Sequence, residues 1–328
     1  ENVEGVLNDR TNAFGNFIAG LAGFDEEIKI KKWSKSGYLE GPKRKVAWRV
    51  LDSKYFGLPQ QRKRLYVLAS GYEFYPDQVL FEYPNEDIVT IQKAKEKSKT
   101  QKTQDLFSSF IKAVDNKVFY NDNTKIEIFR EYTDCLYSAY GTKWNGNAAA
   151  YNGSLYVAQN DRIRRFTPSE CEKLMGFSGN YTEVEGNSDT SRFQAIGNSW
   201  AVPVVKWIGK QINHHLKNFT TEDKTNYIRK LHKKKNNLNA FLLLFDEIIA
   251  IKPHLFLNTS AIPNNPKEGS LEDIIETNNI PEKFYLSQKA CRGILRRKNE
   301  RNINMNNRLE ELMSEISEEK VQSEYASL

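Results

Sequence analysis

The sequence is poor in the residues that staple small folds or hold metal ions. Its 328 residues contain three cysteines, Cys135, Cys171 and Cys291, without paired spacing, and only four histidines. Neither a disulfide framework nor a zinc cluster is therefore written in it. Such sparing use of cysteine fits a reducing compartment, and a cytoplasmic location is expected. No run of about 18 apolar residues occurs. The longest apolar candidate, 238–251, carries Asp246 and Glu247, and the mean hydropathy is -0.66, so a membrane span is not expected. No internal repeat is visible. The chain opens at Glu1 without a methionine or a signal-like stretch, which leads to the expectation that an amino-terminal part lies upstream. Charge of one sign is also scarce. With 48 basic and 42 acidic residues the net charge is +6, which tolerates a polyanionic partner without demanding one.

What is present is organised in blocks. Residues 1–70 read as α/β: Phe14, Phe17, Ile18 and Leu21 fall at helical spacing, and apolar strands follow over 46–51 and 65–69. The polar insert 25–44 reads as a surface loop. Periodicity weakens over 71–160, where Asn145-Gly146 and Asn152-Gly153 offer hairpin turns and 154–157 a returning strand. Helix signals return over 161–215. Thr167-Pro168-Ser169-Glu170 is a capping box, Gly176 a stop, and a second helix follows Gly197-Asn198-Ser199 with Pro203 in its first turn. From 216 to 328 the chain reads as a basic helical extension. It holds a Pro/Asn-rich linker over 261–269 and an amphipathic helix carrying Leu309, Leu312 and Ile316.

Four short motifs could carry chemistry. In Pro59-Gln60-Gln61-Arg62-Lys63-Arg64, before the second strand, an extended backbone places Gln60, Arg62 and Arg64 on one face. An amide and two guanidinium forks suit a phosphate or a base carbonyl, although a solvated basic turn is the plainer reading. The segment from Arg165 through Glu170 to Phe177 is a capped helix, in which Arg165 and Glu170 could do more than hold structure and Cys171 fits a buried thiol. Gly197-Asn198-Ser199 could leave backbone donors open to a ligand at a helix start, or simply cap. The opening Glu1-Asn2-Val3 places a carboxylate whose position the preceding chain would have to fix.

Singly these are weak; their order is not. Glu-Asn-Val, then Pro-Gln-x-Arg-x-Arg before a strand, a variable stretch, Arg-x-Thr-Pro-x-Glu-Cys with Leu-Met-Gly-Phe, and Gly-Asn-Ser together resemble the DNA cytosine-5 methyltransferases of bacteria and phages. The resemblance covers about 212 residues, including Ala47-Trp48-Arg49-Val50-Leu51-Asp52. It implies a partial Rossmann-like methyltransferase sheet with a small mixed target-recognition domain over 71–160, closing helices over 161–215 and the helical extension. It implies S-adenosylmethionine as cofactor, double-stranded DNA as partner and a flipped cytosine as target. By motif, Glu1 would hold the ring nitrogen and amino group of that base, Arg64 its carbonyl, with Arg62 and Gln60 supporting the pocket and the DNA backbone. Arg165 and Glu170 would mainly organise structure, with Arg165 near DNA, and Asn198 and Ser199 would touch the cofactor. Tyr140, Lys143, Trp144, Asn145 and Asn147, with Tyr137, Tyr151 and Asn152, offer aromatic faces, amides and a cation for reading base edges.

The departures are as informative. The family's glycine-rich cofactor loop and Pro-Cys nucleophile motif occur nowhere in these residues, and Cys135, Cys171 and Cys291 follow Asp134, Glu170 and Ala290. The chain alone is therefore expected to be inactive and to need a segment or subunit carrying those motifs. The alternative is a regulatory DNA-binding module that has lost catalysis. A dinucleotide enzyme has little support without a glycine-rich fingerprint. The stretch from Phe284 to Arg297 resembles a short module of some phage-type methyltransferases, with a basic helix that is either solvated or set against DNA.

Overall fold

A computed structural model of the chain describes residues 1–71, 73–83, 119–121, 126–140, 148–217, 241–245, 248–252 and 255–325. In chain order these form β1 (Asn2–Val3), α1 (Ala13–Ala22), β2 (Ser36–Glu40), β3 (Lys45–Asp52), β4 (Lys63–Ser70) and α2 (Pro76–Leu80). Then come β5 (Phe119–Asn121), β6 (Ile126–Ile128), α3 (Ala148–Tyr151), β7 (Tyr156–Gln159) and β8 (Arg162–Arg165). The helices α4 (Pro168–Leu174), α5 (Asp189–Asn198) and α6 (Val202–Lys217) follow. The remainder is β9 (Phe241–Phe245), β10 (Ile248–Lys252), β11 (Leu255–Asn258), α7 (Gln288–Glu300) and α8 (Asn307–Tyr325). Two compact units are interleaved in sequence, one from Glu1–Phe56, Lys63–Ile111 and Pro203–Lys267, the other from Gly57–Arg62, Lys112–Val202 and Glu268–Leu328.

The first unit is built on a five-stranded sheet in the order β1-β4-β3-β2-β9, antiparallel at every pairing. Every residue of β3 is buried, so the strand shows no polar alternation. Its Arg49 is fully buried and satisfied, with Nε donating to the Ser260 carbonyl and the two terminal nitrogens reaching Leu80 and Ile262 carbonyls and Glu82. On one side Phe14 of α1, Trp33 and Trp48 meet edge to face with ring centres 5.0–5.8 Å apart. The helix predicted from Phe14, Phe17, Ile18 and Leu21 is α1, but its buried stripe is Phe14, Ile18 and Ala22, and Phe17 is 54% exposed.

The insert expected as a loop over 25–44 contains β2. Gly37 pairs with Trp48, and a Cβ there would lie 2.1 Å from the indole ring. The glycine that weakened the strand signal is thus what lets Trp48 lie across the sheet. β9 completes the other edge from the region expected to be helical, pairing all five of its residues with β2. The tail therefore contributes strands as well as helices.

The second unit carries a four-stranded antiparallel sheet, β5-β6-β7-β8. Its tight hairpin joins β7 to β8 through Asn160 and Asp161, both with positive φ (53° and 60°), as a two-residue turn of this twist requires. The turn predicted at Asn152-Gly153 instead closes α3, with the Asn152 side chain accepting from the Ser154 amide. Asn145-Gly146 lies outside the described residues. One face of the sheet offers Ile126, Ile128 and Val157 to α4 and α5, and the other offers Tyr156 and Ala158 to α7 and α8. Leu309 and Leu312 are buried there, as the amphipathic pattern predicts, with Met313 between the same layers. The capping box forms at α4: the Thr167 hydroxyl accepts from the Glu170 amide and Glu170 accepts from the Thr167 amide. Gly176, at φ 84°, stops the helix.

Candidate functional site

The motif expected to present Gln60, Arg62 and Arg64 on one face does not do so, because β4 begins only at Lys63. Gln60 and Arg62 precede the strand and belong to the second unit, whereas Arg64 belongs to the first. In the first unit β1 lies antiparallel to β4, pairing Val3 with Arg64 and Asn2 with Leu65. That register brings Glu1 beside Arg64, whose Nε lies 3.3 Å from the Glu1 carboxylate; the side chains are 9% and 15% exposed. Arg64 also donates to the Lys63 carbonyl. A carboxylate and a guanidinium thus converge at a partly open edge of the sheet, a pairing that can accept protons from one part of a polar ring and donate to another.

In the second unit Gln60 is fully buried, and its amide is committed. Its nitrogen donates to the Leu174 carbonyl and its oxygen accepts from the Leu136 amide. This corrects its assignment as a DNA contact, since one end of the side chain ties the 57–62 turn to α4 and the other ties it to the segment at Leu136. Arg62 is buried too, donating to the carbonyls of Leu136 and Ser199 and contacting the Cys135 sulfur at 3.3 Å. It positions backbone and does not face an open site, which corrects its expected place among the reacting groups.

The helix expected after Gly197-Asn198-Ser199, with Pro203 in its first turn, is α6, but the triplet itself closes α5 and does not cap the start of α6. The Ser199 hydroxyl donates to the Ile196 carbonyl and its carbonyl accepts from Arg62. Asn198 is exposed. Gly197 is required for a close approach: an added Cβ would sit 2.3 Å from the Ser138 nitrogen. The Asn198 amide is the exposed side chain of this triplet, whereas the Ser199 hydroxyl is engaged as a donor and keeps only its acceptor side.

Arg165 is half-buried with Nη1 3.5 Å from the Tyr140 carbonyl, and Tyr140 is buried, its hydroxyl donating to Leu155 and accepting from the Phe166 amide. The structural partner of Glu170 is Arg164, which sequence reasoning missed. Both are fully buried and paired through two parallel bonds of 2.9 and 2.8 Å. Arg164 also donates to Gln159, and Glu170 accepts from the amides of Thr167 and Glu276. Strand parity was the available signal, since a buried capping-box carboxylate needs a cation on the inward side of β8. Lys143, Trp144, Asn145 and Asn147 lie outside the described residues. Asn152 donates to Asp134, and Tyr151 is buried.

The cysteines divide. Burial holds the Cys171 thiol well above the usual range, with the neighbouring carboxylates of Glu170 and Glu172 adding to the effect. Burial also pushes Cys291 up to about 11. Neither is a ready thiolate. Among the described residues no cluster of metal-ligating side chains occurs, and no helix is long and apolar enough to cross a membrane.

These features define a mixed α/β chain, consistent with a partial methyltransferase fold, whose sheet edge joins a carboxylate to a guanidinium. A model of the C-5 cytosine-specific DNA methylase family matches residues 1–214, and the chain belongs to that family. It is 27% identical to the DNA N-6-adenine-methyltransferase of Escherichia phage P1, over 65% of this chain and 45% of that protein. It is 28% identical to the type II methyltransferase M.MspI of Moraxella sp, over 66% and 46%, and 30% identical to M.HaeII of Haemophilus aegyptius, over 56% and 53%. The chain spans about half the length of the curated relatives it matches.

Proposed function

We propose that this chain is the base-holding and DNA-reading part of a DNA cytosine-5 methyltransferase, acting on a cytosine flipped from duplex DNA. The single observation that carries the reading is the Glu1–Arg64 pair, 3.3 Å apart at the sheet edge within the stretch matched by the cytosine methylase family. Glu1 accepts from the exocyclic amino group and shares a proton with the ring nitrogen, drawing electron density from the ring as a nucleophile adds to it. Arg64 donates to the base carbonyl and fixes the orientation of the ring. The 3.3 Å ion pair loosens as the base enters, so that each group keeps a hydrogen-bond partner throughout. Arg62 and Gln60 hold the turn that leads into β4 and fix where Arg64 begins.

S-adenosylmethionine supplies the methyl group when bound. Of the two residues expected to meet it, Asn198 fits, with an exposed amide at the end of α5, and Ser199 acts through its backbone. The nucleophilic cysteine and the glycine-rich loop come from another segment or subunit. The elevated pKa values of Cys171 and Cys291 support that reading.

A second reading follows from the name of the phage P1 relative, which points to adenine N6. This chain spans less than half of that protein, so the named activity need not belong to the matched part. One experiment separates the two. The chain is mixed with a folded segment carrying the Pro-Cys and glycine-rich motifs, duplex DNA and labelled S-adenosylmethionine, and the nucleosides are resolved after digestion. Label in 5-methylcytosine is the expected result. Label in N6-methyladenine supports the second reading, and duplex binding without any transfer supports a regulatory module.

A further inference from the structure

A cavity of about 270 Å³ lies within the second unit, between the sheet with its preceding segment and the start of α7. It does not include Glu1 or Arg64, and seven of its twelve lining residues lie beyond the family-matched stretch. Tyr137, Tyr140, Tyr156 and Tyr285 are among its lining residues, together with Arg165 and Arg297. No carboxylate is among the lining residues. A third cation, Lys283, is already paired with Asp189.

The walls are fixed. The Tyr140 hydroxyl is held at both its donor and acceptor sides, and its ring meets those of Tyr137 and Phe193 edge to face. The Arg162 guanidinium lies 4.2 Å from the Tyr285 ring centre, and that arginine is in turn paired with Glu282. An aromatic lining favours a planar ring, and a lining that holds arginines and no carboxylate favours an anion. The two together describe a nucleotide. The volume falls just below the roughly 300–1,000 Å³ usual for drug-sized ligands, a size that suits one nucleotide.

We propose that this cavity holds one nucleotide of the DNA strand, its base against Tyr137 or Tyr285 and its phosphate between Arg165 and Arg297. The inference rests on the reading of the chain as a DNA-binding methyltransferase part, and it assigns to the tail a second point of grip on DNA, away from the target base. The tail would then act as a clamp that sets register on the duplex, since phosphate contacts position and base contacts specify.

The test uses the 328-residue chain and oligonucleotide duplexes carrying 5-iodouracil at successive positions. Irradiation is expected to cross-link one position to Tyr137 or Tyr285, identified by mass spectrometry. In parallel, Arg297→Gln and Arg165→Gln are each expected to weaken duplex binding roughly 5-fold and to lower the salt-dependence slope by about 1. Arg296→Gln, one residue away on α7 and outside the lining, removes the same charge and is expected to change binding less. Thermal melting checks that each variant is folded, and the two arginines belong to different elements, β8 and α7, so failure of one variant to fold leaves the other. Cross-links confined to other residues, or equal losses for 296 and 297, overturn the cavity assignment while leaving the DNA reading intact. No duplex binding by the unaltered chain overturns both, and binding of free deoxycytidine monophosphate without duplex binding does the same.

Discussion

The two units each join an arginine to a glutamate, and they do it in opposite ways. Arg164 and Glu170 are fully buried, meet through two parallel hydrogen bonds, and have their remaining polar atoms taken by Gln159 and backbone amides. Arg64 and Glu1 approach to 3.3 Å at the edge of a sheet, with 15% and 9% of their side chains exposed. A buried pair with every valence met cannot change partners without a large desolvation penalty. A longer contact whose side chains keep some exposure at a sheet edge can do so at a smaller cost. The first pair therefore serves the fold, and the second is suited to receive a ligand.

The comparison is broken most severely by removing one member of the inner pair. Glu170→Ala leaves the Arg164 charge buried and is expected to destabilise the second unit by about 3–5 kcal/mol, read from urea unfolding. A smaller effect is expected from Asp77, a buried carboxyl in the first unit that accepts from the Tyr83 hydroxyl. Burial raises its pKa from 3.8 to about 6. The folded form then keeps a proton that the unfolded chain releases, so its contribution is present in full below about pH 4 and is lost as pH rises through about 6. Asp77→Asn is expected to remove that slope, a change on the order of 2 kcal/mol between pH 4 and 7. The smallest effect on stability is expected from Arg64→Ala, on the order of 1 kcal/mol in the same unfolding assay, because its pair is longer and less completely buried than Arg164–Glu170. A loss as large as that of Glu170→Ala would place Arg64 among the structural arginines and remove the contrast.

Much of this was legible in the sequence wherever local signals and tertiary packing agree. The capping box of α4, the stop at Gly176, the strands β3 and β4 and the buried stripe of α8 all follow from residues a few positions apart. Elements that depend on distant partners were not. β2 is stabilised by β3 on one side and by β9, about 200 residues away in sequence, on the other, and Gly37 obscures it further. α5 passed unnoticed because its signal is a lone Ser188 cap before a polar segment. At the site, motif order placed Glu1 and Arg64 correctly in one neighbourhood, but the assumption of an extended backbone through 60–64 exposed Gln60 and Arg62, which packing instead buries. Arg164 escaped because two adjacent arginines differ only in which side of β8 they occupy, a matter settled by the sheet and not by composition.

The most direct measurement of the central claim is methyl transfer to duplex DNA by the chain complemented with a segment bearing the nucleophile, comparing wild type with Arg64→Ala at matched fold and duplex affinity. The account predicts 5-methylcytosine from the wild type and a loss of roughly 100-fold or more in the variant, on the scale of removing a donor aimed at developing charge. Undiminished transfer by Arg64→Ala would contradict it.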